Sequence, residues 1–297
     1  MPSVSICIPA YNAEKFLPDA LESVRRQTFK DWELIVTEDG SKDSAEALVL
    51  AFAQSVSQPV HYQRHEKNKG LPATRNTGIA ASSSDLIALL DADDCWAPEH
   101  LEIGMAKMRE SNADLVHSGS ILFDSDTGRE LEIRAPSAAV VGGFPLSLFL
   151  GDYIIQPSSV LLRKKLWECV GGFDPTFRYV EDREMWLRCA RSGGKFVFTG
   201  ANTCLYRKHG AALSTHSAEM AIACARAFDK HLDWEAIPQD LRRRSISESW
   251  ISAARMLQRR EPRRASDFLL RAWRVSRKPH LCLWAGALRT FSLIARR

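Results

Sequence analysis

Over the first hundred residues the apolar positions alternate between two periods. Val4, Ile6 and Ile8 stand two apart and predict a short strand ending at Pro9. From Phe16 the spacing turns helical, through Phe16, Leu17, Leu21 and Val24. That helix places Pro18 in its first turn, where a missing N–H is tolerated. Trp32 to Thr37 reads as a second strand, and the turn Asp39-Gly40-Ser41 leads into a helix with Ala45, Leu48, Val49 and Phe52 on one face. Val60 to Tyr62 is a third strand. Pro72 opens a helix running through Ile79, and Asp85 to Leu90 is a fourth strand. Pro98 opens a further helix to about Glu110, before a strand beginning at Leu115-Val116. Strands alternating with helices of this length predict right-handed crossovers and a parallel sheet covered on both faces. In such sheets ligands bind beyond the carboxyl ends of the strands.

Past residue 120 the pattern changes. Ile121 to Phe123, the turn Asp126-Thr127-Gly128 and Leu131 to Ile133 predict a hairpin. Two more strands, near Val160 to Leu162 and Lys195 to Thr199, flank a helix from about Asp182 to Arg191. Mixed strands appended to a parallel half predict one continuous α/β domain. From Ala218 onward the patterning is helical only.

Composition narrows the class. At 45% hydrophobic and 26% charged, the 297-residue chain excludes a mainly disordered or collagen-like protein. The uncharged stretch Ala135 to Gly151 is broken by Pro136, Pro145, Gly142 and Gly143, which makes it a poor spanning helix. No basic segment precedes the first apolar run, so no secretory leader is read. Seven scattered cysteines without a C-x-x-C pair point to reduced thiols and a cytoplasmic setting, not to a disulfide scaffold or structural zinc. The net charge of +4 conceals two halves of opposite sign. Residues 1–215 carry 23 Lys/Arg against 28 Asp/Glu, while residues 216–297 carry 17 against 8. This divides the chain into an acidic body, 1–215, and a basic helical appendage, 216–297.

The strongest local chemical signal is Leu89-Leu90-Asp91-Ala92-Asp93-Asp94, three carboxylates at the end of an apolar strand. Their mutual repulsion is relieved by a divalent cation such as Mg²⁺ or Mn²⁺, which accepts one or two carboxylates beside phosphate oxygens. Strand alternation would point Asp91 and Asp93 to the same side. The alternative is a solvated acidic turn capping the helix after Pro98. No G-x-G-x-x-G and no Walker A lysine loop is present, against dinucleotide and ATPase sites.

The acids have company. Ser5-Ile-Cys-Ile-Pro9-Ala10-Tyr11-Asn12 precedes Glu38-Asp39-Gly40-Ser41, and then Asn68-Lys-Gly70-Leu-Pro-Ala73-Thr-Arg75-Asn76-Thr-Gly78. Gly171-Gly-Phe-Asp174 and Val180-Glu181-Asp182 follow much later, with Tyr206-Arg-Lys-His209 and Ser214 behind them. Together, in this order over residues 1–215, these motifs resemble the inverting, nucleotide-sugar-dependent glycosyltransferases of family 2. The resemblance implies their GT-A fold, a Rossmann-like mixed sheet flanked by helices, here with an all-helical C-terminal appendage. Residues 216–297 match no family pattern.

The resemblance also implies roles. Pro9, Ala10 and Tyr11 would hold the nucleobase, and Asp39 would accept a hydrogen bond from its ring N–H. The family usually has two aspartates there, so Glu38 is a departure. Gly70 would allow close approach of the donor, and Arg75 would offer its fork to base or diphosphate; helix-surface pairing is the alternative for Arg75-Asn76. Asp91 falls on the ribose side, Asp93 at the metal (Mn²⁺ or Mg²⁺), with Asp94 a ligand one place over. His209 would meet the metal or the leaving diphosphate. Asp182 would be the catalytic base and Glu181 would orient it or the acceptor. For Glu181-Asp182 alone, compensation of a helix dipole is the competing account.

The resulting expectation is a metal-dependent inverting transferase taking sugar from a nucleoside-diphosphate donor, a UDP-sugar first, to a hydroxyl-bearing glycan or lipid-linked acceptor. Bacterial surface-polysaccharide assembly is the setting implied by family habit. A sugar nucleotidylyltransferase would need a Gly-rich loop after the first strand, which Pro9 to Asn12 does not supply. A non-catalytic nucleotide-sugar-binding module remains the alternative from another class. In the tail, Leu281, Trp284, Leu288 and Phe291 fall on one stripe, with Arg289, Arg296 and Arg297 off it. Such a helix fits the inner face of an anionic membrane or, alternatively, packs on the catalytic body. No RNA-binding motif accompanies the arginines, and no nucleic-acid partner is expected.

Overall fold

The two-residue alternation at the N-terminus becomes β1, Val4–Ala10, every residue of which is buried. Burying Val4, Ile6 and Ile8 contributes about 1.5–3 kcal/mol each relative to exposure, so this strand forms the middle of the sheet. The computed structural model describes residues 1–209 and 217–294, without the side chains of 217 and 291–294. The chain divides into two compact units, Met1–Gly210 and Ala211–Arg297. Ser214 and the expected boundary between 215 and 216 lie outside the described residues.

In the first unit, helix α1 (Leu17–Arg25) carries its proline in the first turn. Strand β2 (Trp32–Glu38), helix α2 (Ala45–Ser55), strand β3 (Val60–Arg64), helix α3 (Leu71–Ala81) and strand β4 (Leu86–Leu89) follow. These four strands are parallel in the spatial order β3-β2-β1-β4. The order reverses between β1 and β4, and their carboxyl ends flank the crevice in which ligands of open α/β sheets sit.

Beyond β4 come β5 (Cys95–Trp96), α4 (His100–Ser111), β6 (Leu115–Asp124) and β7 (Glu130–Arg134). The expected hairpin is present, but Leu115 and Phe123 belong to one ten-residue strand. Residues 135–155 hold two short helices, α5 (Ala138–Gly142) and α6 (Leu146–Leu150), neither read from the sequence. A 3-10 turn at Pro157–Ser159 precedes β8 (Val160–Arg163), then α7 (Lys164–Val170), α8 (Glu181–Arg191) and β9 (Phe196–Lys208). Strand β8 is antiparallel to both β4 and β6, so Ser158 at its start lies beside the carboxyl end of β4.

Strand β9 runs parallel to β6 and far beyond its expected end at Thr199. Between the His117–Phe198 and Ser120–Cys204 pairs, β6 advances three residues and β9 six. The bulged strand crosses β6 at Gly119, where an added Cβ would collide with the Asn202 side chain. This detour brings Arg207 and the following His209 to the same sheet edge as the end of β4.

The second unit is helical: α9 (Ser217–Asp229), α10 (Gln239–Leu257), α11 (Pro262–Ser276) and α12 (Pro279–Ile294), with α10 packed on α9, α11 on α10 and α12 on α11. Trp250 and Phe268 pack with tilted rings at 5.1 Å between centroids in its core. The tail stripe is spent on this packing: Leu281 and Ala285 are buried, and Ser266 Oγ donates to the carbonyl of Ala285 at 2.9 Å. Trp284 and Leu288 of the same stripe are partly buried. The Phe291 side chain and Arg296 and Arg297 lie outside the described residues. No helix among the described residues is long and apolar enough to cross a membrane.

Gly40 tests how tightly the first crevice wall is built. It sits at φ 76, and an added Cβ would lie 2.7 Å from the Lys67 carbonyl carbon. Gly40→Ala is expected to lower the stability of the first unit by about 2 kcal/mol or more, from left-handed strain and backbone overlap. Denaturant unfolding followed by tryptophan fluorescence, with limited proteolysis of the 65–70 segment, checks this.

Candidate active site

Every sequence-singled residue of the first unit lies along the carboxyl edge of β1, β2, β4 and β9 or on the helix starts facing it. At the end of β1, Pro9 and Ala10 are buried in register with Thr37 and Glu38. The Tyr11 ring just beyond is 52% exposed, free to stack on a flat ligand. Asp39 is 2% exposed and anchors the neighbouring loop. Its Oδ1 accepts from Lys69 N and His65 Nδ1 at 2.8 and 2.7 Å, and its Oδ2 accepts from Gly70 N at 2.8 Å. A carboxylate offers about four acceptor positions, so one remains. A Cβ at Gly70 would meet nothing nearer than Pro72 Cδ at 3.9 Å, leaving that approach open. Glu38, the departure from the family pattern, is buried and accepts from Ser41 N at 2.6 Å while pairing with Arg64 at 3.0 Å.

The acids after β4 do not behave as a strand. β4 ends at Leu89, and the Asp94 N–H closes a turn on the Asp91 carbonyl at 3.1 Å. The alternation argument therefore fails, and the three side chains take three directions. Asp91 meets Arg75 at 2.6 Å. Asp93 is 41% exposed and its Oδ2 lies 2.9 Å from His209 Nε2. Asp94 is 2% exposed, accepting from Ser158 Oγ at 2.6 Å and from Arg207 N at 2.9 Å. Those donors fill one position on each of its oxygens, and burial leaves Asp93 the more open of the two acids. The helix-capping alternative also fails, because β5 intervenes and Glu99 is the residue before α4.

Arg75 is turned toward protein carboxylates. Its guanidinium is 1% exposed and its two terminal nitrogens bind Asp91 at 2.6 Å and Glu181 at 2.5 Å. The fork is committed to protein carboxylates and is not open to a base or diphosphate. Its neighbour on α3 completes the bridge: Asn76 Nδ2 donates to the Phe173 carbonyl at 2.7 Å, and its Oδ1 accepts from Phe173 N at 2.8 Å. Thus Arg75 and Asn76 fasten the Gly171 to Asp182 segment to the wall carrying Asp91. Val180, the residue before α8, sits at φ 61, a left-handed conformation that a β-branched residue adopts only under constraint. That strained step delivers Glu181 and Asp182 as the first residues of α8.

One guanidinium thus serves three carboxylates, Asp91, Glu181 and Asp182. Burial, with Asp93 adding to it, holds Asp91 above the usual aspartate range despite Arg75. Burial pushes Glu181 up to about 7, Asp182 adding and Arg75 opposing. Asp182, half-buried, is raised by burial and by Asp91, against Arg75 and the Arg183 N–H that its Oδ1 accepts at 2.7 Å.

Among the described residues no three His, Cys, Asp or Glu side chains converge as a closed metal site. The donor set at Asp93 and His209 is one half-exposed carboxylate and one imidazole aimed at each other. That set fits a Mn²⁺ or Mg²⁺ ion completed by water and phosphate oxygens. His209 is held by the Phe16 ring at 4.8 Å. Arg207 donates Nε to the Asp93 carbonyl at 2.8 Å and lies against Phe16 and Phe123. His65, Ser158 and Arg207 went unread as site residues, because each acts through partners 26, 64 and 113 positions away.

Comparison with known proteins places this architecture. A family model described as glycosyl transferase family 2 matches residues 5–167. An Escherichia coli protein named UDP-Glc:alpha-D-GlcNAc-diphosphoundecaprenol beta-1,3-glucosyltransferase WfgD is 33% identical over 197 residues, 62% of this chain and 68% of the other. The matched stretch spans 59% of the length of an uncharacterised glycosyltransferase of Rickettsia typhi, at 27% identity. Staphylococcus aureus TarS 1-349, solved in complex with UDP-GlcNAc, superposes with TM-score 0.72 at 15% identity, over 96% of this chain and 88% of that one. A mannosyltransferase of Pyrobaculum calidifontis, in complex with GDP-Man and Mn2+, superposes with TM-score 0.63 at 14% identity, over 97% and 84%. The fold is GT-A, with a mixed sheet and C-terminal helices.

Removing the shared cation exposes the charge imbalance. Arg75→Met leaves Asp91 and Glu181 buried without a partner and is expected to cost about 3–5 kcal/mol near neutral pH. Glu181 holds its proton to about 7 in the fold against 4.5 as its ordinary value. The folded state therefore binds more protons between those values, and this contribution to stability is lost as pH rises through 7. The Arg75→Met defect should accordingly shrink toward pH 5, as read by urea unfolding of metal-free protein across pH 5–8.

Proposed function

The chain belongs to glycosyl transferase family 2, and on that premise we propose that it is a metal-dependent inverting glycosyltransferase. The catalytic domain in this reading is residues 1–215, with residues 216–297 as a helical basic region. The donor is a nucleoside-diphosphate sugar, a UDP-sugar first, and the acceptor is a hydroxyl on a glycan or lipid-linked sugar. One observation carries the proposal: at a single sheet edge, an open Asp93–His209 pair stands next to a carboxylate group that Arg75 fastens across the crevice to the start of α8. Two similar proteins support the donor class, one named for UDP-Glc and one solved with UDP-GlcNAc. The diphosphoundecaprenol in the name of WfgD supports the lipid-linked acceptor and a setting in bacterial surface-glycan assembly. The mannosyltransferase complex with Mn2+ supports the divalent cation.

The chain's own groups then divide the work. Tyr11 stacks on the base, while Pro9 and Ala10 form the floor beneath it. The remaining lone pair of Asp39 accepts the base's ring N–H, and the Gly70 backbone lets the donor approach. Asp91, held by Arg75, receives the ribose. Asp93 and His209 would hold the cation, which when bound would neutralise charge growing on the departing diphosphate. Asp182 takes the proton of the acceptor hydroxyl as its oxygen attacks the anomeric carbon. The bond from that carbon to the diphosphate oxygen breaks, its electron pair leaving with the nucleoside diphosphate. A single displacement inverts the centre. Glu181 keeps Asp182 in place through Arg75.

Asp182→Asn is expected to lower transfer by about 10²–10⁴-fold while donor affinity changes little. Retained transfer would remove Asp182 from the base's role. In the unmodified protein, kcat/KM should fall on the acid side at a pH above the usual aspartate range, because the Asp182 carboxyl is raised and only its ionised form accepts a proton. A calorimetric screen of UDP-, GDP- and dTDP-sugars with and without Mn²⁺ tests the donor. UDP-sugar binding strengthened by Mn²⁺, and weakened by His209→Ala, is the expected result; a flat response to all three would overturn the reading.

A further inference from the structure

The helical unit gathers positive charge at one corner. Between the last turn of α10 and the first turn of α11, Arg255, Arg259, Arg260, Arg263 and Arg264 face a single acid, Glu261. All five arginines are exposed. Glu261 pairs with Arg264 at 2.9 Å, and Arg255, Arg259 and Arg260 have no ion pair among the described residues.

Two features separate this charge from the needs of the fold. Helix α11 begins at Pro262 with no acid in its first turn, so Arg263 and Arg264 stand at its positive end and oppose its dipole. The one acid at this helix start is Glu261, the residue before Pro262. In addition, the corner's inward positions are already filled by the buried Leu257 and Ala265, whereas Met256 is 46% exposed beside the arginines. Of these arginines, Arg264 is spent on Glu261 and the Phe268 ring, whereas Arg255, Arg259 and Arg260 are exposed and pair with no acid among the described residues.

We propose that the α10–α11 corner is a docking surface for the anionic phospholipid headgroups of a bilayer. Guanidinium forks match phosphate oxygens two at a time, and several of them on one short segment suit a plane of phosphodiesters. Met256 enters the headgroup boundary, as apolar side chains of interfacial elements do. Residues 255–264 contain no aromatic ring on which a base could stack, which sets the corner apart from single-stranded nucleic-acid platforms. The inference rests on the transferase reading only for its purpose, access to a lipid-linked acceptor. Attachment itself requires neither donor nor acceptor.

The test is co-sedimentation of the full chain with vesicles of phosphatidylcholine alone or mixed with phosphatidylglycerol, without donor or acceptor. A failure of attachment is thereby read separately from a failure of transfer. Binding is expected only to the anionic vesicles and should weaken with salt. Replacing Arg259, Arg260, Arg263 and Arg264 by Gln should reduce partitioning several hundred-fold, at about fivefold per arginine. The corresponding four Lys replacements should retain most of it. A control of equal charge loss elsewhere (Arg26, Arg109, Arg129 and Lys165, each to Gln) should bind nearly as the unmodified chain does. Equal binding to neutral vesicles, no loss in the four-Gln variant, or an equal loss in the control overturns the proposal. Tighter binding of single-stranded RNA, lost with the same four arginines, would assign the corner to nucleic acid instead.

Discussion

The first unit depends on one buried guanidinium. Arg75 is enclosed on α3 and joins a carboxylate after β4 to a carboxylate at the start of α8. A buried pair is rarely a net source of stability, because desolvating both partners offsets their attraction. What the pair supplies is distance control: the two walls of the crevice cannot drift apart without uncovering three carboxylates. Burial, with Asp182 adding and Arg75 opposing, keeps Glu181 protonated to about 7. Local strain at Val180 is tolerated because Arg75 and Asn76 together overdetermine the segment on either side of it.

Much of the fold was legible in the order of periods. Alternating apolar runs and helical stripes from Val4 to Glu110 marked four parallel strands, and proline fell in the first turn of α1 and α3. The unread elements share a cause. β5 is two residues long and exists only through its pairing with Cys204 and Leu205. Helices α5 and α6 span five residues each, too short for a period to register. The second half of β9 hid because its bulges break the alternation that a strand normally displays.

The site was legible as a set of residues and less so as a set of contacts. Motif company singled out Asp39, Arg75, Asp91, Asp93, Asp182 and His209, and the fold brings all of them to one edge. Which of them would remain open was not readable. An arginine beside an asparagine looks the same in sequence whether it faces ligand or protein, and only tertiary burial decides. Asp93 and Asp94 are adjacent, yet one points to solvent and the other accepts from Ser158 and Arg207 N. That division is set by where β8 begins and β9 ends, which no local spacing encodes.

The irregular crossing of β6 and β9 has a bearing on how such a site can change over time. Three surplus residues in β9, an odd number, reverse which face each later side chain presents. His209 therefore reaches Asp93 because of an insertion-like defect upstream, not because of anything at its own position. Gaining or losing one residue near Asn202 would swap the imidazole for a neighbour while leaving the crevice walls untouched. Slippage of this kind would change which side chain meets Asp93 without a single replacement among the acids.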